Sequence, residues 1–357
     1  MVHNYSAGPC ILPQEVLQKA SESVKELDGI GLSLIEISHR SKEFVAIMEK
    51  TRELVKEVLG VPEGYTVLFL QGGASLGFYM SAINYMRIEN GLGAYLDTGS
   101  WSSKAIKEAK LLGGVEVVAS GKENNYTAIP KGWSVPSNAD YFHLTSNNTI
   151  FGTQLKSFPN TGDVPLICDM SSDIFSKQIN VADFDLIYAG AQKNMGPAGT
   201  TVYIAKKDSL GKTGRKIPSM LDIQVQDGKD SMFNTPPVFS VYVSMLTLEW
   251  LKNKGGVDQI EKENNAKAEL LYGEVDRNPL FKGTTAVEDR SVMNATFVLQ
   301  DESAHKERFD ELWQEAQISG LKGHRSVGGY RASMYNALPI ESVQVLVDVM
   351  QELERTS

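Results

Sequence analysis

With 357 residues, the chain exceeds the size at which a single hydrophobic core stops growing, so about two domains are expected, and a composition of 42% hydrophobic and 22% charged residues without biased stretches excludes disorder. A formal net charge of −9 without a long Lys/Arg stripe argues against nucleic acid as the main partner, yet a small anionic substrate stays open, because a cation about 4 Å from an anion gains ~4 kcal/mol at an effective dielectric near 20 while surface charge is screened beyond ~8 Å. The two cysteines, Cys10 and Cys168, are far apart with Cys168 inside the apolar run VPLICD, and neither a signal segment nor a membrane-length apolar run occurs, so a reducing, cytoplasmic setting is expected without export or membrane.

Helical patterns over residues 14–28 and 44–59 come before the first strand. Seven short apolar runs then alternate with amphipathic stretches: residues 66–70, 93–97, 115–119, 140–145, 164–169, 184–190 and 200–205. The pattern predicts an α/β fold, a mostly parallel seven-stranded sheet covered by helices, and ligands in such folds sit beyond the carboxyl ends of the strands. Residues 237–278 read as a long helical bridge broken by Gly255 and Gly256. A strand (294–299), a helix (305–319), a Gly-rich strand segment (GLKGHRSVGGYRASMY) and a last helix (339–354) make a small α+β C-terminal domain. The expected division is an N-terminal segment of 1–15 near the small domain or the active site, a large domain of 16–255 and a small one of 256–357.

Several chemistries lack their motif: there is no GxxxxGK[ST], no GxGxxG after the first strand, no HExxH and no CxxC, so no metal site is expected. What remains is polar residues at strand ends. After the first strand, QGGAS puts two glycines and Ser75 at a helix start, where backbone N–H groups suit a phosphate, although Gly-Gly is also an ordinary tight turn. After the second, Trp101 in DTGSW can stack on a planar ring or fill a core. Thr149 in TSNNTIFG offers a hydroxyl after the fourth strand. Asp169 ends the fifth, where a carboxylate can keep a pyridine nitrogen protonated, or cap the next segment. After the sixth, AGAQKNMGPAG places Lys193 between a glutamine and a Gly-Pro-x-Gly turn; a buried lysine there can form a Schiff base, whereas the ordinary alternative is a surface lysine.

Together, SAGPCILP, EISHRSKEF, QGGAS, DTGSW, SNNTIFG, AQKNMGPAG, FNTPP and GHRSVGGYRASMYNAL, in this order from the first ten residues to the last sixty, resemble the phosphoserine aminotransferases. These are class V, fold-type I pyridoxal-phosphate enzymes. The resemblance implies that pyridoxal 5'-phosphate is held on Lys193, with Asp169 on its pyridine nitrogen, Trp101 stacked on its ring and Thr149 at its phenolic oxygen. It implies that Ala74, Ser75 and Gln192 hold the cofactor phosphate, with Asn234 and Thr235 supplied by the second subunit of a homodimer with shared active sites. Ser75 departs from the arginine that many members carry, which leaves the phosphate to backbone donors, Ser75 and Gln192.

A substrate with a carboxylate at one end and a phosphate or second carboxylate at the other needs two separated cationic sites. The resemblance places Arg331 on the α-carboxylate and His39, Arg40, His324 and Arg325 around the distal anion. The expected reaction is a ping-pong transfer of an amino group from glutamate to 3-phosphohydroxypyruvate, giving O-phospho-L-serine and 2-oxoglutarate in L-serine biosynthesis, with a phosphorylated hydroxythreonine of pyridoxine biosynthesis as a second product. A desulfurase is disfavoured, because Cys168 lies in a strand and Cys10 has no activating neighbour in the sequence. An alanine–glyoxylate-type transaminase would leave the His/Arg group without a purpose, and a silent binding protein would need neither Lys193 nor Asp169.

Overall fold

The computed structural model describes residues 2–357. Its centre is a seven-stranded sheet built from β1 (Tyr65–Leu70), β2 (Leu92–Asp97), β3 (Gly114–Ser120), β4 (Tyr141–Thr145), β5 (Leu166–Asp169), β6 (Leu186–Gly190) and β7 (Thr201–Lys206), in the order β1-β7-β6-β5-β4-β2-β3. All seven expected strands form. The fifth starts at Leu166, two residues later than its apolar run, since Pro165 has no N–H to give a ladder. Only β7 runs antiparallel, to both β1 and β6. The short connection from β6, residues 191–200, permits that direction, whereas the parallel neighbours need helical crossovers.

Alternation along the strands sorts side chains onto two faces. One face, with Leu96, Leu144, Cys168, Ala189 and Ile204, packs on α1 (Gln14–Lys25), α2 (Lys42–Leu59) and α5 (Val238–Asn253). The other, with Tyr95, Tyr141, Ile167, Tyr188 and Tyr203, packs on α3 (Gly73–Tyr85) and α4 (Ser100–Ala109). The same alternation brings Asp97, Thr145 and Asp169 to the α3/α4 face at the strands' carboxyl ends.

The predicted bridge is two helices. Gly255, with φ +109°, and Gly256, with φ +72°, turn the chain from α5 into α6 (Gly256–Arg277), a left-handed conformation that favours glycine. The small domain pairs β8 (Phe281–Gly283), β9 (Asn294–Leu299) and β10 (Tyr330–Ser333) in an antiparallel sheet packed with α6, α7 (Glu302–Glu315) and α8 (Ile340–Thr356). The helix expected over 305–319 is corrected at both ends. Asp301 caps it earlier by accepting from the Ala304 N–H at 3.1 Å, and Gln317, with φ +58°, breaks it so that Ile318–Ser319 can pair with His3–Asn4. Tyr5 is buried in the small-domain core and donates its hydroxyl to the Ser342 carbonyl at 2.7 Å. The N-terminal segment therefore crosses from the small domain to α1 on the large one, and helices 1 and 2 both pack on the large domain.

Candidate active site

A cavity of about 450 Å³, within the usual span of roughly 300–1,000 Å³ for small-molecule and cofactor sites, opens at the carboxyl ends of the strands. Lining it are Ala74, Ser75, Trp101, Thr149, Asp169, Gln192, Lys193, His324 and Arg331, all named by the sequence reading and drawn from both domains. The strand ends decide this. Asp169 closes β5, Lys193 follows β6, Trp101 follows β2 on the first turn of α4, and Arg331 reaches in from β10.

The Lys193 amine donates to Thr149 Oγ1 at 2.8 Å and lies 5.6 Å from the centroid of the Trp101 ring. Burial brings this amine down to about 8; the charge of Asp169 resists the shift and that of Arg331 adds to it. Beside it, Gly8 would place a Cβ 3.3 Å from Lys193 Cγ, so the N-terminal segment packs against the lysine stem at a position suited to glycine. The Cys10 thiol donates to the Lys193 carbonyl at 2.6 Å, and burial pushes its pKa up to about 12. Cys168 is fully buried with its thiol pushed upward as well, so burial disfavours the thiolate at both cysteines.

Asp169 is buried, and burial raises its pKa despite two hydrogen bonds from Ser171, N–H at 2.9 Å and Oγ at 2.6 Å, both to Oδ1. Oδ2 is left without a protein donor among the described residues, and a protonated ring nitrogen there would restore the ionised form. Trp101 is positioned through Asp97, which accepts from Ser102 and Ser103 at 2.9 Å each on one oxygen and from Ser120 and Tyr126 on the other, pinning the start of α4. The indole N–H of Trp101 and Nε of Arg331 are buried without partners. Arg331 gives one bond to the Thr149 carbonyl at 3.3 Å. Its unpartnered donors point to a ligand, because burying them unpaired costs about 1–3 kcal/mol each.

At the opposite wall the Gly72 backbone has φ +98°, and a Cβ there would lie 2.5 Å from Leu76 Cδ2. Only glycine fits this turn, which exposes the first N–H groups of α3 beside Ala74 and Ser75. Such a helix start is suited to a phosphate. A phosphorylated pyridine aldehyde therefore fits the residues present: a phosphate cradle, a stacking ring, a buried carboxylate and a lysine amine with lowered pKa.

The remaining expected residues stand elsewhere. Arg325 is exposed on the loop beside His324, whose Nδ1 shares a 2.7 Å hydrogen bond with Ser326 Oγ. His39 and Arg40 precede α2, outside the cavity; His39 Nε2 is buried without a partner and Arg40 is exposed. Asn234 and Thr235 precede α5 and meet Gln71, which donates to the Thr235 carbonyl at 3.0 Å, next to Gly72 but not lining the cavity. The sequence reading missed Ala7, Gly8, Asn147, Ser171 and Ser172 on the cavity wall. Ser171 had a local signal, since a serine two residues after a strand-end aspartate commonly turns back on it. Asn147 had none: its amide donates to Ser172 Oγ and to Asn294 Oδ1, both at 2.8 Å, a junction between domains. No group of three His, Cys, Asp or Glu side chains among the described residues could hold a metal ion, and no described helix is long and apolar enough to cross a membrane.

The model of the class-V aminotransferase family matches residues 2–346. The chain is 65% identical to a phosphoserine aminotransferase of Flavobacterium psychrophilum, over 99% of this chain and 98% of that one. It is 52% identical to that of Parabacteroides distasonis, over 99% of each. Among solved structures, the phosphoserine aminotransferase from Bacillus circulans subsp. alkalophilus superimposes with a TM-score of 0.96 at 43% identity, covering 100% of this chain and 99% of that one. A PLP-bound phosphoserine aminotransferase from Trichomonas vaginalis gives 0.92 at 36% identity, covering 98% and 100%.

Proposed function

We propose a reaction from a fixed premise: the chain belongs to the class-V aminotransferase family, and is a pyridoxal-phosphate-dependent aminotransferase. The reading is a phosphoserine transaminase that moves an amino group between glutamate and 3-phosphohydroxypyruvate, giving O-phospho-L-serine and 2-oxoglutarate. One observation carries it. A single cavity combines Lys193 and Asp169 with His324 and Arg331, and neither of the last two is paired with a carboxylate among the described residues. The first pair is what aminotransfer needs, and the second is what a substrate anionic at both ends needs.

In this reading the N–H groups at the start of α3, Ala74, Ser75 and Gln192 hold the cofactor phosphate, Trp101 covers its ring, Thr149 meets its phenolic oxygen, and Asp169 keeps its ring nitrogen protonated. When bound, the cofactor supplies an electrophilic carbon for amines and a ring that withdraws electrons. Lys193 would supply the amine that holds the cofactor, and its free Nζ would act as the general base that takes the proton from the substrate α-carbon and as the general acid that gives it back. Thr149 Oγ1, 2.8 Å away, keeps Nζ in place for that exchange. Arg331 holds the α-carboxylate through its free donors. The distal anion is assigned to His324 and Arg325 on the small-domain loop, with His39 and Arg40 joining from outside this chain's own cavity.

His39, Arg40, Asn234 and Thr235 lie outside their own chain's cavity, which supports a homodimer in which a second copy brings the last two to the phosphate cradle. A reducing cytoplasmic setting fits two free cysteines. The phosphorylated hydroxythreonine of pyridoxine biosynthesis is a second product of the same chemistry in this reading. An assay with 3-phosphohydroxypyruvate and glutamate tests the reading: turnover well above that with pyruvate supports it, and equal turnover of the two acceptors removes the phosphate from the substrate. An obligate monomer with full cofactor affinity would remove the role of Asn234 and Thr235.

A further inference from the structure

Residues 3–10 form a strap that is tied to the small domain at one end and to the Lys193 turn at the other. His3 and Asn4 pair with Ile318 and Ser319, His3 Nδ1 shares a 2.8 Å hydrogen bond with Ser342 Oγ, and Tyr5 is sunk in the small-domain core. Tyr335, buried two residues beyond the strand that carries Arg331, donates its hydroxyl to the Ala7 carbonyl at 2.7 Å. The other end meets the lysine. Gly8 has φ +140°, and a Cβ there would lie 3.3 Å from Lys193 Cγ and 3.7 Å from Gln192 Cγ, so glycine lets the strap lie close on the lysine stem. Cys10 then engages two consecutive carbonyls. Its N–H donates to Gln192 at 3.2 Å, and its thiol donates to Lys193 at 2.6 Å, nearer than the Ile11 carbonyl at 3.2 Å.

The turn itself is closed from within at Ala191, whose carbonyl accepts from the N–H groups of Met195 and Gly196 at 3.1 and 2.9 Å. The carbonyls of Gln192 and Lys193 are instead taken by the strap. An ammonium on a flexible four-carbon stem is aimed by whatever holds its backbone and walls its stem. We propose that Cys10 and Tyr335 are positioning residues for the Lys193 amine, acting through this strap. The inference rests on Lys193 as the attachment amine and deepens that reading. Neither Cys10 nor Tyr335 lines the cavity, so each acts by holding main chain: Cys10 fixes the Lys193 carbonyl, Tyr335 fixes Ala7, and Gly8 between them bears on the stem. Loss of either hydrogen bond frees the strap to shift, and a misplacement of about 1 Å is costly for a reacting group.

The test compares two ligands on the cofactor-free protein. Capture of pyridoxal phosphate, followed by absorbance, needs the Lys193 amine, whereas pyridoxamine phosphate has no carbonyl carbon for that amine and reports the rest of the cavity. Cys10→Ala and Tyr335→Phe are each expected to slow capture by about two- to fivefold, the worth of one neutral hydrogen bond, with the Kd for pyridoxamine phosphate unchanged. Cys10→Ser keeps a donor and should restore most of the rate. Because both contacts act on one strap, the double variant should be slowed by less than the product of the single effects. Unchanged capture in both single variants overturns the proposal. A matching loss of pyridoxamine phosphate affinity also overturns it, since the whole cavity is then distorted, and full multiplication in the double variant overturns the strap as the link. Borohydride labelling of a lysine other than Lys193 in the wild-type protein would remove the attachment-amine reading first, and both positioning roles with it.

Discussion

Lys193 in the cavity and Lys267 at the small-domain junction are both withdrawn from water, and burial depresses both amines, to about 8 and about 7. What surrounds them differs. Lys267, on α6, donates to the carbonyls of Met334, Tyr335 and Leu338 at 3.0, 2.9 and 3.1 Å. Three acceptors meet the three donors of an ammonium, so this geometry opposes the effect of burial and favours the charged form. Lys193 has a single hydroxyl partner at 2.8 Å and an open cavity beside it. Depressed basicity therefore does not identify a reactive lysine. Unspent donors and room for a ligand do.

The junction also serves the cavity. The segment clasped by Lys267 follows directly on β10, which carries Arg331. In it, Asn336 donates its N–H to Asn194 Oδ1 at 3.1 Å, next to Lys193, and Tyr335 donates to the Ala7 carbonyl at 2.7 Å. In the proposed reading one lysine performs chemistry, and the other holds the frame on which Arg331 is mounted.

The largest break of this contrast is expected from Lys193→Ala, which should lower turnover by at least about 10³-fold, the general acid–base contribution together with loss of cofactor attachment. Borohydride reduction and peptide mapping should mark Lys193 in the wild-type protein; label on Lys267 would reverse the assignment. Next comes Asp169→Asn, expected to cost about 10- to 100-fold in turnover by removing a charge-assisted contact to the ring nitrogen. The cofactor absorbance spectrum of the variant checks where the change acts. Lys267→Met should instead leave three buried carbonyls unsatisfied and destabilise by roughly 3–5 kcal/mol, seen as a fall in Tm with most turnover retained at low temperature. Loss of turnover at unchanged Tm would mean that Lys267 takes part in the chemistry.

Two smaller effects sharpen the comparison. The Lys193 amine has a folded-state pKa of about 8, below the ordinary lysine value, so the unfolded chain binds more protons between the two values. Stability of the cofactor-free protein should then be fully present above about 10.5 and be lost as pH falls through about 8. Lys193→Met should flatten that rise. Capture of pyridoxal phosphate, followed by absorbance, should accelerate as pH rises through about 8, and a rate independent of pH would contradict a free amine as the attacking form. Last, Thr149→Val should slow turnover only about two- to tenfold, the worth of one neutral hydrogen bond.

Much of this was legible in the linear chain because buried strands of a mostly parallel sheet read as continuous apolar runs. Each of the seven stood out, and the polar residue closing or following it was a site candidate by position alone. The interruption at Gly255 and Gly256 was equally plain. Lys267 was not, since nothing local separates a lysine on an amphipathic helix from one whose donors are met by carbonyls about 70 residues away. The end of α7 at Gln317 was hidden for a similar reason: a strand pairing with residues 3–4 competes with the helical pattern.

From sequence alone came the strand order along the chain, the strand-end positions of Trp101, Asp169 and Lys193, and the motifs that mark the family. These depend on period, local turn chemistry and residue type. Only the tertiary structure decided which lysine is held by protein acceptors and which faces a cavity, that Arg331 and Trp101 keep unpartnered donors, and that His39, Arg40, Asn234 and Thr235 stand outside it. The physical reason is that availability is a balance of burial against partners, and in this fold the partners come from distant parts of the chain.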